Sequence, residues 1–143
     1  MASFGKTVLA DTGFWYALYN PRDDNHAAAE GKSDLFLTTN VLIPWPSLYE
    51  TFNTRFAKNK IAVRSFEALL RQTHVELLPD EPYREAALQA ALASALTGAR
   101  DLSLVDMVIR LILDDINIRK HGLLTFDQKD FIDICAKRNL ELL

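Results

Sequence analysis

Short apolar runs that do not alternate with polar residues recur along the chain, each separated from the next by a stretch of helical composition. "KTVLAD" (6–11), "DLFLTT" (34–39), "HVELLP" (74–79), "HGLLTF" (121–126) and the closing "LELL" (140–143) read as strands. A strand with one wet face alternates with period two, whereas a strand covered on both faces is apolar throughout. Between these runs, "TGFWYALYN" and "NHAAAEGK" read as helices around a turn at Asn20 and Pro21. Pro44 and Pro46 are expected to delay the next helix until about Ser47, and a further one spans Ala62 to Gln72. The alanine-rich segment from Pro82 to Leu96 is helical and stopped by Gly98; "SLVDMVIRLILDD" opens a helix apolar on most sides, and "QKDFIDICAKR" gives the last one. Strands and helices in alternation predict a mainly parallel central sheet with helices on both faces, a three-layer α/β/α sandwich forming one domain over residues 1–143. Ligands of such sheets bind beyond the carboxyl ends of the strands.

Hydrophobic residues make up 49% of the chain and charged residues 24%, an ordinary globular balance that excludes disorder. The net charge of -3 gives no broad field for a polyanion, so any nucleic-acid binding must rest on a local basic patch or on bound cations. Cys135 is the single cysteine, which excludes an intramolecular disulfide or a cysteine zinc cluster and fits a reducing compartment, with the cytoplasm expected. No membrane association is expected, because no apolar stretch is long enough to span a bilayer. "GKT" at residues 5–7 lacks the first glycine of a phosphate loop and precedes a strand instead of a helix.

Four acids draw notice by position. Asp11 and Asp127 end apolar runs, while Glu50 and Asp106 stand three residues after Ser47 and Ser103. Each has a plain local reading. Asp11 and Asp127 suit helix N-caps, Ser47 to Glu50 and Ser103 to Asp106 match capping boxes, and Arg110 lies one turn beyond Asp106 as an ion-pair partner. The topology nevertheless brings all four to one edge of one sheet. At a separation of ~6 Å and an effective dielectric near 20, each pair of carboxylates repels by roughly 3 kcal/mol. Helix amino termini offset only about 0.3–1 kcal/mol apiece at exposed sites. An all-oxygen acidic set without histidine or cysteine suits a hard cation, Mg²⁺ or Mn²⁺.

The blocks "LADTGFWYALYNPRDDNHAAA", "SLYETFN", "DLSLVDMVI" and "LLTFDQKDF" resemble, in order and over nearly the whole chain, the four acidic blocks of PIN-domain proteins, including VapC-type toxins of toxin–antitoxin pairs. The resemblance implies a PIN-like, Rossmann-like fold. It also implies that Asp11, Glu50, Asp106 and Asp127 are catalytic metal ligands for Mg²⁺- or Mn²⁺-dependent hydrolysis of RNA. It further implies a homodimer and an antitoxin protein that covers the acidic site. Asp101 resembles an extra acid that some PIN domains carry as a metal ligand, although a loop residue ahead of the Ser103 cap is the preferred plain reading.

Thr12 and Thr125 adjoin the strand-end acids and are candidates for orienting a carboxylate or the substrate, against the plain reading that they pack or cap. Arg55, Lys58, Lys60 and Arg64 form an acid-free basic run suited to RNA phosphates, or else a solvated face at a helix end. Arg119, Lys120 and His121 form a weaker cluster, and His26 and His74 lack partner ligands. Phe14, Trp15, Tyr16, Tyr19, Trp45 and Tyr49 could stack on bases, but burial or a subunit contact accounts for most of them. Two other readings compete: a non-catalytic PIN-fold module that binds RNA or protein, and a metal-dependent phosphatase or DNA nuclease on a related sheet.

Overall fold

The computed structural model describes residues 4–143. β1 (Thr7–Ala10) is followed by α1 (Thr12–Tyr19), α2 (His26–Lys32) and the single turn α3 (Leu35–Thr38). β2 (Asn40–Pro44) leads into α4 (Trp45–Thr51), α5 (Thr54–Ala57) and α6 (Lys60–Leu70). β3 (Val75–Leu78) precedes a 3₁₀ turn at Glu81–Tyr83, α7 (Arg84–Thr97) and α8 (Leu104–Asp114). β4 (Gly122–Leu124), a 3₁₀ turn at Gln128–Asp130, α9 (Ile132–Lys137) and β5 (Glu141–Leu142) complete the order.

The strands form one five-stranded sheet in the order β3-β2-β1-β4-β5, and every neighbouring pair is parallel. Val8 faces Val41 on one side and Gly122 on the other, so β1 is the centre of the sheet. Side chains of successive strand residues point to opposite faces. Val8, Ala10, Val41, Ile43 and Leu124 accordingly join Phe14, Trp15, Phe36 and Phe66 in one core. Leu9, Leu42 and Leu123 join Val108, Ile109, Ile112, Leu113 and Phe131 in the other. The expected three-layer sandwich is the observed one. Among the described residues no helix is long and apolar enough to cross a membrane.

Several expectations for individual segments are corrected. "DLFLTT" is not a strand: Leu35–Thr38 is a helical turn, and the second strand is the next segment, Asn40–Pro44. Its β-prone composition is overridden because Phe36 is buried against Phe14 and Trp15, while both the amide and the hydroxyl of Thr39 donate to the Leu35 carbonyl. The helix after the proline pair starts at Trp45, not Ser47, with Pro46 within its first turn, where no N–H is required. Helical composition over 48–59 resolves into α4 and α5, broken at Phe52 and Asn53, where the Asn53 side chain caps α5 by accepting from Phe56 N. Similarly, 128–138 is a 3₁₀ turn followed by α9.

Candidate functional site

In the strand order, β2 and β4 lie on opposite sides of β1, and β4 is reached by a crossover from β3, so the switch point of the sheet falls at the carboxyl ends of β1 and β4, where sheets of this kind bind ligands. Asp11 sits there, immediately after β1, with its amide donating to the Leu124 carbonyl at 3.0 Å. Its side chain is only 4% exposed. One carboxylate oxygen accepts from Thr12 N at 2.7 Å and the other from the Thr125 hydroxyl at 3.1 Å. The Thr125 hydroxyl in turn accepts from Asp127 N at 3.0 Å, so one side chain ties the ends of both strands together.

Asp127 is exposed and, contrary to expectation, its side chain makes no cap hydrogen bond. The chain leaves β4 through φ -97° and ψ 53° at this residue, which turns the carboxylate away from the following amides. It leans toward α1: a β-carbon added at Gly13 would lie 3.9 Å from its Oδ2. Glu50 occupies the last turn of α4, so the capping box expected with Ser47 does not form, and the buried Ser47 hydroxyl has no partner among the described residues. The Glu50 carboxylate instead accepts from the Thr12 hydroxyl at 2.9 Å. Its backbone carbonyl is held by the Tyr16 hydroxyl and by Asn53 Nδ2 at 3.0 Å. Asp106 does form its box: Oδ2 accepts from Ser103 N at 3.1 Å, and Asp106 N donates to Ser103 Oγ at 3.0 Å. Arg110 does not pair with it. That guanidinium grips Asp133 at 2.8 and 2.7 Å and the Asp130 carbonyl at 2.7 Å, which clamps α8 to α9.

Burial pushes the Asp11 carboxyl up to about 6, against the Thr12 amide and Thr125 hydroxyl, which favour its charged form; the charges of Asp106 and Asp127 raise it further. Glu50 thus meets the start of α1 through Thr12, while Asp106 and Asp127 act on Asp11 through their charge. Their donors are hard oxygens, which fits Mg²⁺ or Mn²⁺. Among the described residues no three acidic, histidine or cysteine side chains are grouped so that they could hold a metal ion together. Asp106 is occupied by its own cap and Glu50 by Thr12. Asp101 is exposed in the loop before α8, and no hydrogen bond joins it to the other acids.

Arg55, Lys58, Lys60 and Arg64 are all exposed on α5, α6 and their junction. Arg55 lines a cleft that shares Tyr16 and Asn53 with the Glu50 carbonyl. Arg119, Lys120 and His121 fall at the opposite edge of the sheet, where His121 Nδ1 accepts from Thr7 N and Lys120 Nζ donates to the Asp115 and Ile118 carbonyls. His26 Nδ1 bonds the Ala17 carbonyl and His74 Nε2 the Phe36 carbonyl, both structural roles. Phe14 and Trp15 are buried, whereas Trp45 and Tyr49 are 39% and 71% exposed. Sequence reasoning passed over Lys32, whose ammonium stands 5.2 Å from the centre of the Phe126 ring, beside Asp127 in the chain. It also passed over Asn53. Neither carries a local signal, since the fold alone brings α2 to Phe126 and Asn53 to Tyr16.

The fold is shared with solved structures. VapC20 of Mycobacterium tuberculosis, described as a sarcin-ricin loop cleaving toxin, superposes with a TM-score of 0.65 at 20% identity over 88% of this chain and 94% of that one. VapBC2 of Rickettsia felis, bound to a DNA fragment from their promoter, gives a TM-score of 0.59 at 15% identity over 96% and 97%. No family model and no curated protein matches the sequence. At these identities the likeness establishes the fold: this chain is built as VapC toxins are.

Proposed function

We propose that this chain is a metal-dependent ribonuclease acting as the toxin of a toxin–antitoxin pair. The observation that carries the reading is the buried Asp11 carboxyl at the switch point of the sheet, with Glu50 tied to the same helix start through Thr12 and the charges of Asp106 and Asp127 acting on it. A carboxyl raised to about 6 and pressed by two like charges is a position where a dication can replace a proton. The fold shared with an RNA-cleaving toxin supports the same conclusion. Asp11, Glu50, Asp106 and Asp127 would hold Mg²⁺ or Mn²⁺, with Asp101, exposed in the loop before α8, as a further candidate ligand. The ion, when bound, acidifies a water molecule and polarises the scissile phosphodiester.

The chain's own residues do the rest. Thr12 fixes the Glu50 carboxylate, and Thr125 fixes Asp11 while holding the backbone of Asp127. Arg55, Lys58 and Lys60 supply the local positive charge that a chain of net charge -3 needs to hold RNA phosphates. Leu88, Leu92 and Leu96, one helical turn apart along α7, are 45%, 48% and 87% exposed, as are Leu104 and Tyr49 at 48% and 71%. An apolar groove of about 480 Å³ runs between α4, α7 and α8 with Glu50 at its margin. These surfaces suit an antitoxin segment laid over the acidic edge and a second copy of the chain.

A second reading has one observation in its favour. Asp11 and Asp106 both bond helix-start amides, as purely structural acids would in a non-catalytic RNA- or protein-binding module. Purified protein incubated with RNA separates the two. Cutting that needs Mg²⁺ or Mn²⁺, stops with chelator and disappears in Asp11→Asn and Asp127→Asn is the expected result. Cutting that persists in Asp11→Asn, or fails with every RNA tried, overturns it. Growth arrest on expression, relieved by one small co-expressed neighbouring gene, is the expected result for the toxin role.

A further inference from the structure

A cleft of about 510 Å³ opens beside the acidic edge, between the carboxyl-terminal half of α1 and the α5–α6 turn. Its connection to the acids is direct. Thr12, which holds the Glu50 carboxylate, and Tyr16, which holds the Glu50 carbonyl, are one turn apart on α1, a rise of about 6 Å. Beyond Tyr16 the floor is aromatic, with Tyr19 and Phe56 packed at 68° and 6.0 Å between ring centres.

The polar lining is unusual in being fixed by backbone. Asn20 Oδ1 accepts from Arg22 N at 3.0 Å, Asn53 Oδ1 from Phe56 N at 2.9 Å and Asn59 Oδ1 from Ala62 N at 3.1 Å. These bonds set which end of each carboxamide is nitrogen. Asn53 Nδ2 is engaged by Tyr16 and Glu50, while Nδ2 of Asn20 and of Asn59 has no partner among the described residues. Asp23 and Arg55 line the same cleft without forming an ion pair with each other. Asp23 is pinned through Oδ1 to Asn25 N at 2.8 Å, which leaves Oδ2 as an acceptor. The cleft thus offers oriented donors, one carboxylate acceptor and an apolar floor.

We propose that this cleft is a base-reading subsite for the nucleotide next to the scissile bond, and that it selects guanine. The inference rests on the ribonuclease reading for its place along the substrate, though not for its binding chemistry. Guanine alone among the four bases carries two adjacent N–H donors, N1 and N2, that one carboxylate accepts together, beside acceptors O6 and N7 that take amide or guanidinium donors. Asp23 takes the donor pair, sharing Oδ1 with Asn25 N, while Asn20, Asn59 and Arg55 face the acceptors and the base lies over Tyr19.

Two variants test this while keeping the caps that hold the local fold. Asn59→Ser retains an N-cap oxygen for α6 but loses the Nδ2 donors. Asp23→Asn keeps Oδ1 and exchanges an acceptor for a donor. Cut positions are sequenced after digestion of a single-stranded RNA library of random sequence with Mg²⁺. Guanine enrichment at one position beside the cut is expected in the wild type, falling roughly 10-fold or more in either variant, with cutting at other sequences retained. In parallel, binding of GMP, AMP, CMP and UMP is measured by titration followed by NMR. A preference for GMP of about 10-fold, lost in both variants, is expected. An unchanged cut profile in the variants, or equal binding of the four nucleotides, overturns the subsite even if RNA is cut. Selective GMP binding without any RNA cleavage overturns the nuclease reading and leaves the subsite standing.

Discussion

Asp11 is the residue on which site and stability meet. Its folded pKa of about 6 lies above the ordinary 3.8, so below 3.8 it is neutral whether folded or unfolded and contributes nothing. As pH rises from 3.8 to about 6, the unfolded chain releases a proton that the folded chain keeps, and the folded state loses stability; above about 6 the loss is complete. At 1.36 kcal/mol per unit this amounts to roughly 3 kcal/mol. Asp11→Asn is therefore expected to raise the melting temperature at pH 7.5 in chelator while abolishing cleavage, and to lose that gain at pH 3.5. Calorimetry across this range checks it. Ser47 and Thr51 present the reverse case, since both are fully buried with hydroxyls that find no partner among the described residues. Thr51→Val removes an unsatisfied oxygen at constant shape, and urea denaturation is expected to show it neutral or stabilising by about 1 kcal/mol. The positions of Asp11 and Asp127 at strand ends and of Asp106 in a capping box were legible in the sequence, whereas Ser47 pointed to Glu50 through a box that does not form. Tyr16 and Asn53 were not legible, because what matters is their bond to each other across 37 residues and to the Glu50 carbonyl.

At the scale of elements, the strand that closes one side of the sheet depends on a missing side chain. A β-carbon on Gly122 would come within 3.0 Å of the Glu141 carbonyl oxygen and 3.1 Å of Leu143 Cδ1, both on or beside β5. Gly122→Ala must push β5 off β4, at a cost of about 1–3 kcal/mol. Faster hydrogen exchange at the Glu141 and Leu143 amides, which bond the His121 and Leu123 carbonyls at 2.9 Å, is the expected sign. Slow exchange there in the variant would contradict it. Element type was legible where patterns were strong: β1, β3, β4, α6, α7 and α8 fall where apolar runs and caps put them. It failed at "DLFLTT", where the pull of Phe36 into the aromatic core outweighs strand propensity, and at Ser47, where Pro46 opens a helix instead of postponing one. The first failure arises from contacts that no local window contains, the second from a proline that fits a first turn because no N–H is needed there.

Over the whole molecule, a second group of aspartates opposes Asp11. Hydrogen bonds from Arg138 and Lys137 hold Asp114 below the usual carboxylate range, the Tyr83 hydroxyl does the same for Asp115, and Arg110 does so for Asp133. Their stabilising contributions are present above the ordinary pKa near 3.9 and vanish as pH falls through the lower folded values. Without divalent ions the protein is expected to be most stable at about pH 4, falling on the acid side as these ties between α8, α9 and the Glu81–Tyr83 turn are protonated and on the alkaline side as Asp11 resists ionisation. Melting curves at stepped pH check this; a metal-free maximum above pH 7 would contradict the assignment of Asp11. The fold class was legible from the alternation of runs, whereas the order of strands was not, since parallel pairing leaves no mark in any one strand. That order has a temporal consequence. Thr125 and Asp11 touch across 114 positions, and β4 is wedged against the first strand to be synthesised. A nascent polypeptide still threaded through the ribosome, with Asp127 yet to emerge, lacks one of the four acids and the β1–β4 pairing, so on the ribonuclease reading proposed above no cutting of RNA is expected until the chain has been released.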